Sequence, residues 1–286
     1  MSAPTVRRRR LGATLRQLRE DKSLKLEEVA AKTGFTGAKL SRVETGRVAA
    51  KPADVEKLLD VYGVRDRSRR EGLVGLAREG GKRGWWQTYK DILSPVYSDL
   101  ISLEAEASGV RTFQPLLIPG LLQTAAYARA VIAAINMTAT PDKVNALVDV
   151  RIARQSVLNR PDPLALWAII HEAALKPVVM GGSGAGIMRD QLQRLLDLAE
   201  LPHVNVQVMP ADAAPHPGAA GGFTILGFPE RSDLDVVLLE NLSNSLYIED
   251  ATDVELYGEA FERLRAAALP FDRSLELIEQ TKEQAK

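Results

Sequence analysis

The stretch TGFTGAKLSRVETG, Thr33 to Gly46, sets a few polar side chains at the spacing of a turn feeding a short helix. Arg42 could present two parallel donors to the O6 and N7 of guanine, a bidentate pair worth about 1–3 kcal/mol of discrimination. Lys39 is the other side chain there able to reach base edges, and Ser41 and Arg47 carry groups suited to phosphate. Gly37 and Ala38, just ahead, offer at most a methyl for thymine contact, but they allow close approach to the bases. Arg7, Arg8, Arg9 and Arg10 form a second basic cluster. As an arm, residues 1–10, they would add phosphate or narrow minor-groove contacts; a plain solvated tail is the other reading.

These side chains need a scaffold of short helices. Leu11, Leu15 and Leu18 recur at i, i+4 and i+7 and give the first helix one apolar stripe. SLKLEEVAAKTG predicts a second helix ending at Gly34, which can take the left-handed backbone that closes a helix. Thr36 is the natural N-cap of the third, with Leu40 and Val43 facing inward and Gly46 stopping it. Pro52 opens a fourth and Arg67 to Glu79 a fifth. The pattern fits a helix-turn-helix, in which one helix braces across the phosphate backbone while the next lies in the major groove. On the hydrophobic pattern alone, an ordinary helical hairpin fits as well.

The 286 residues exceed a usual single domain, and 45% apolar residues suffice for sizeable cores. The net charge is zero, but it is unevenly placed. Residues 1 to 83 hold 21 Lys and Arg against 11 Asp and Glu, a balance of +10, and the rest of the chain carries −10. A small basic module ahead of a larger acidic one suits a DNA-binding domain that carries something else. With no cysteine, disulfides, thiolate metal sites and cysteine nucleophiles are excluded, and no apolar run approaches the ~18 residues of a membrane span. A cytoplasmic, nucleoid-associated protein is expected.

EGGKRG marks a linker at residues 80–84, separating a helical domain, 11–79, from a second domain at 85–286. There, Trp85 and Trp86 supply bulk for a new core. GLLQTAAYARAVIAAI, DKVNALVDVRIARQSVL and GIMRDQLQRLLDLAEL predict helices. PLALWAII, VNVQVMP, GGFTILGFP, LDVVLLEN and SLYIED predict short strands, and two further helices close the chain. The fold class is therefore α+β overall: an all-α N-terminal domain, then a larger α+β domain with a mostly antiparallel sheet.

Other chemistry is weaker. GGSGAG, Gly181 to Gly186, lacks the Gly-Lys-Ser/Thr end of a nucleotide loop. His171 and Glu172 lack the second histidine at i+4 that zinc proteases require. No nucleophilic triad can be assembled from sequence position. No metal, cofactor or catalytic residue is assigned, and the chain is expected not to be an enzyme; an enzyme of unknown type in residues 85–286, tethered to DNA, is the alternative. His216, with Gly218 in APHPGAAGG, is either a loop histidine satisfied within the protein or a ligand or partner contact.

LRQLREDKSLKLEEVAAKTGFTGAKLSRVETGR resembles the Cro/phage-repressor (XRE) family of helix-turn-helix domains. The resemblance implies that Arg19 and Glu44 form an ion pair between the first helix and the recognition helix. It also implies that positions 37, 38 and 42 face base edges, with Ser41 and Arg47 near phosphates. Leu26 departs from it, standing where the family usually has a glutamine. LEAEASGVRTFQPLLIPGLLQT, HPGAAGGFTILGFP and ENLSNSLYIED resemble the C-terminal domain of unknown function attached to such regulators in actinobacteria, of the WhiJ-like, antitoxin-like kind. That resemblance implies a transcription regulator of double-stranded DNA whose second domain binds a ligand or a small BldB-type partner protein. A homodimer is expected, because twofold pairing doubles the few base contacts of one small module.

Overall fold

The computed structural model describes residues 6–79, 84–176, 184–228, 235–242 and 245–285. The chain divides into two compact units, the first taking Met1–Lys90 with Ser94–Asp99 and the second Asp91–Leu93 with Leu100–Lys286. Residues 80–83 of the expected linker lie outside the described residues.

The first unit is helical: α1 (Val6–Asp21), α2 (Leu26–Thr33), α3 (Gly37–Glu44), α4 (Pro52–Val61) and α5 (Arg67–Glu79). Leu11, Leu15 and Leu18 of α1 meet Val29, Leu40, Val43, Val55, Leu58, Leu59, Tyr62 and Leu73 in one core. Gly34 closes α2 at φ 74°, its N–H donating to the Ala30 carbonyl, and the Thr36 hydroxyl accepts from the Lys39 N–H at the head of α3.

Two glycines bring α1 and α3 into backbone contact. A Cβ on Gly12 would lie 2.4 Å from the Val43 carbonyl oxygen and 2.5 Å from that of Glu44. From the other side Gly46, at φ 69°, would place a Cβ 2.8 Å from the Arg9 nitrogen. Neither position has room for a side chain, and Gly46 also needs the left-handed backbone.

Two expectations are corrected here. Arg7 to Arg10 are not an arm: α1 begins at Val6, and Arg7 and Arg10 are only 7% and 8% exposed. Four arginines at a helix N-terminus oppose the macrodipole, and Asp99 offsets this by accepting the Val6 N–H at 3.2 Å. Trp85 and Trp86 do not seed the second core. They lie in a 3-10 turn, Trp85–Tyr89, none of whose residues is buried, and group with the first unit, their rings edge to face at 6.0 Å.

After α6 (Pro95–Glu106), the second unit builds a six-stranded sheet from β1 (Gly109–Gln114), β2 (Ala165–His171), β3 (Val204–Met209), β4 (Phe223–Gly227), β5 (Val236–Glu240) and β6 (Ser245–Ile248). The order is β3-β2-β1-β4-β5-β6, with β1–β2 and β2–β3 parallel and the other three pairings antiparallel. Antiparallel pairing thus predominates in a mixed sheet. The parallel half follows from its long connections: α7 (Ala125–Ile135) and α8 (Pro141–Arg154) separate β1 from β2, and α9 (Gly184–Ala199) separates β2 from β3. On one face Phe113, Ile169, Phe223, Ile225 and Val237 pack against Phe261 and Leu264 of α10 (Ala251–Ala267), and α11 (Phe271–Gln284) closes the chain.

Gly12→Ala should therefore destabilise the first unit by about 1–3 kcal/mol, because its methyl meets backbone and not a movable side chain. Gly75→Ala on α5, where a Cβ meets nothing within 4 Å, should be neutral or stabilise by up to about 1 kcal/mol. Thermal melting of the two variants checks the contrast; equal behaviour would remove the steric account of the α1–α3 contact.

Candidate nucleic-acid interface

The eight residues of α3 split cleanly by face. Leu40 and Val43 are buried, Ala38, Ser41 and Arg42 are exposed, and Gly37, Lys39 and Glu44 are half-exposed; the flanking Thr36 and Arg47 are exposed. Arg42 stands on the outer face, its Nε donating only to the Ala38 carbonyl one turn back at 3.2 Å. Nothing lies within 4 Å of where a Cβ on Gly37 would stand, and its backbone is not left-handed. Packing and strain therefore give no reason for a glycine at that tip; the consequence is an unobstructed approach to the first residues of α3.

Lys39 differs from the expectation. Its ammonium is 2.8 Å from Asp54 Oδ2 on α4 and 3.9 Å from the centre of the Phe35 ring. An ion pair and a cation–π contact hold the side chain against the protein. Of the two long basic side chains of α3, Arg42 alone is exposed.

The inner face of α3 is tied down by charge. Arg19 Nε donates to Glu44 Oε1 at 2.8 Å and Nη2 to Oε2 at 2.9 Å, a bidentate pair whose side chains are 11% and 7% exposed. Arg19 Nη1 donates to the Leu24 carbonyl at 2.9 Å, so one guanidinium joins α1, the α1–α2 turn and the end of α3. The neighbouring Tyr62 is buried, which pushes its phenol up to about 12, and the Glu44 carboxylate adds to the shift.

The loop carrying His216 and Gly218 is folded onto the sheet and not held out from it. The His216 ring meets Phe113 edge to face at 5.8 Å, and Gly218 is buried where a Cβ would stand 2.3 Å from Phe113 Cε1. His171 Nδ1 accepts from the Ala173 N–H at 3.1 Å and so caps a 3-10 turn. Of GGSGAG, Gly181 to Ser183 fall outside the described residues, and Gly184 opens α9. Among the described residues no group of three or more His, Cys, Asp or Glu could hold a metal, and no helix is long and apolar enough to cross a membrane.

Sequence reasoning missed Gly12 and Asp99. Gly12 sits in an apolar-striped helix where only its contact with the Val43 and Glu44 carbonyls reveals its purpose. Asp99 lies 93 positions from the nitrogen it caps, beyond the reach of any local pattern.

Glu44→Ala should lower thermal stability by about 3–5 kcal/mol as well as weaken DNA binding, because it strands a largely buried guanidinium. Unchanged melting with lost binding would move Glu44 to the DNA face. Burial raises the Asp99 carboxyl to about 6, partly offset by the Val6 N–H and by Arg9, Arg7 and Arg8. Between the usual carboxylate value and about 6 the folded chain keeps a proton that the unfolded chain has released. This group's contribution therefore falls as pH rises through that window. Asp99→Asn should flatten that slope in pH-dependent melting; an unaltered slope would assign it elsewhere.

A model described as Helix-turn-helix domain matches residues 10–73. A second, Domain of unknown function (DUF5753), matches residues 97–280. No curated protein and no solved structure matches the chain. The first match runs from within α1 into α5 and includes α3; it marks a DNA-binding regulator. The second covers more than half of the 286 residues, and the chain belongs to the DUF5753 family, with a helix-turn-helix domain ahead of the family's domain.

Proposed function

We propose that this protein is a sequence-specific transcription regulator of the XRE type. It binds double-stranded DNA as a homodimer with α3 in the major groove, Arg42 on a guanine edge, Gly37 and Ala38 at closest approach, and Thr36, Ser41 and Arg47 at the phosphates. The observation that carries the reading is the division of α3: an inner face fixed by Leu40, Val43 and the Arg19–Glu44 pair, and an outer face from which Arg42 projects into solvent. A reading helix must be rigid on one side and unencumbered on the other, since specificity needs donors held in register with the base edges.

The second unit acts as the regulatory input and the pairing surface, taking a small ligand or a small partner protein of the BldB type, and no catalytic role is assigned to it. The acidic balance of residues 84 to 286 supports this division of labour, because a surface of that sign repels phosphates and leaves DNA contact to the basic first unit.

Selection from a random DNA pool tests the reading. The full chain should enrich a motif of two related half-sites about one helical turn, ~34 Å, or a multiple of it apart. Arg42→Ala should lose preference at one base position per half-site, while Lys39→Ala keeps the motif. Failure to enrich any sequence, or an unchanged motif in Arg42→Ala, would overturn it, and a native mass of one chain on DNA would overturn the dimer.

A further inference from the structure

The sheet face turned away from Phe113 and Phe261 is not uniformly apolar. There Thr112 and Gln114 of β1 and Thr224 of β4 line a half-open cavity of about 50 Å³. A single water needs about 10–15 Å³ of such space, so a molecule of a few heavy atoms fits. Thr112 Oγ1 lies 2.9 Å from Thr224 Oγ1, and Gln114 Nε2 donates to Thr112 Oγ1 at 3.3 Å. Thr112 Oγ1 donates to the Phe223 carbonyl at 3.1 Å, which leaves the Thr224 oxygen to accept from a guest.

The opposite wall carries charge. Glu104 of α6 and Arg154 of α8 are 4% and 6% exposed at their side chains, with Arg154 Nε 3.0 Å from Glu104 Oε2. That approach is not aligned as a hydrogen bond, and among the described residues no donor hydrogen-bonds the buried Glu104 Oε2. Gly120 makes room for the guanidinium: a Cβ there would stand 2.4 Å from Arg154 Nη2. At the rim stands Glu240 of β5. Burial raises Glu104 to about 7; Arg154 and Arg151 draw it down and Glu240 pushes it up.

The roof over this space is built to hold its shape. Gln155 Nε2 donates to the Gly120 and Gln123 carbonyls, at 3.1 and 2.7 Å. Gln191 Nε2 donates to the Leu122 carbonyl at 2.8 Å, while its Oε1 accepts the Thr124 N–H at 2.7 Å. Arg151 Nη1 donates to Gln123 Oε1 at 3.0 Å. These bonds hold the loop whose Pro119, Gly120 and Leu121 line the cavity. A buried ion pair seldom adds net stability over apolar residues of like volume, so stability alone does not account for the arrangement.

When Glu104 is ionised, the residues lining the cavity set two carboxylates, Glu104 and Glu240, against the one guanidinium of Arg154, a negative balance of one. We propose that this cavity binds a small organic ammonium compound, its charged nitrogen on Glu104 and a second polar atom on the Thr112–Thr224 hydroxyls, with carbon against Leu121 and Leu238. An acid would meet the same excess with the wrong sign. The inference deepens the reading of the second unit as regulatory input and relies on that reading only for its consequence in the cell.

Calorimetric titration of the full chain, without DNA and at mildly alkaline pH, compares ethanolamine, glycine and acetate. Ethanolamine should bind in the millimolar range, with glycine weaker and acetate absent. Glu104→Gln should weaken ethanolamine by about tenfold or more. Thr224→Val, which keeps volume in case the first variant misfolds, should weaken it several-fold, and Glu259→Gln on the outer face of α10 should leave it unchanged. No ethanolamine binding to the wild-type chain, equal binding of acetate, or unaltered affinity in folded Glu104→Gln would overturn the proposal. Because DNA is absent, its failure leaves the DNA-binding reading untouched, and failed DNA selection leaves this result untouched.

Discussion

The approach of α1 to α3 is the constraint on which the interface depends. Gly12 and Gly46 let two backbones touch, and this contact fixes how far the reading helix stands from the helix behind it. Arg19 then fixes the rotation of α3 by taking both Glu44 oxygens while holding the Leu24 carbonyl. Distance and rotation are set by different chemistries, one steric and one electrostatic, so neither can compensate for the loss of the other. Leu40 and Val43 only have to fill what remains. Because the inner face is so fully used, only a few outer positions of α3 are left for contact with a partner.

In the second unit the two faces of one sheet do different things. Phe113 and Phe223 look toward α10 and make an ordinary apolar core. Thr112 and Gln114, on the alternate positions of the same strand, look toward Glu104 and Arg154. The alternation of β1 thus places a packed core and a polar cavity within one strand width, and the buried Gln155 and Gln191 hold the loop beside the second by its carbonyls.

Much of this was legible in the residues. The apolar stripe of α1, the Thr36 cap and Gly34 place the first helices because those signals are local. β2 to β6 declare themselves by β-branched runs between turn residues. β1 does not, although it is central: GVRTFQ puts Thr112 and Gln114 inward, so it lacks the apolar alternation that marks a buried strand. The partner of Lys39, Asp54, lies on another helix, and its identity depends on packing that no periodicity encodes. Arg7 to Arg10 read as a tail because four arginines in a row are costly to bury. The carboxylate that helps to bury them is far away in sequence.

The central claim is that Arg42 reads a guanine edge, and it can be tested atom by atom on the selected site. Replacing the guanine at the assigned position by 7-deazaguanine removes the N7 acceptor and leaves the base pair intact. The wild-type chain should then lose a few-fold to about tenfold in affinity, the worth of one hydrogen bond, while Arg42→Ala should bind both DNAs equally. An equal loss in the two proteins would mean that another group makes the contact.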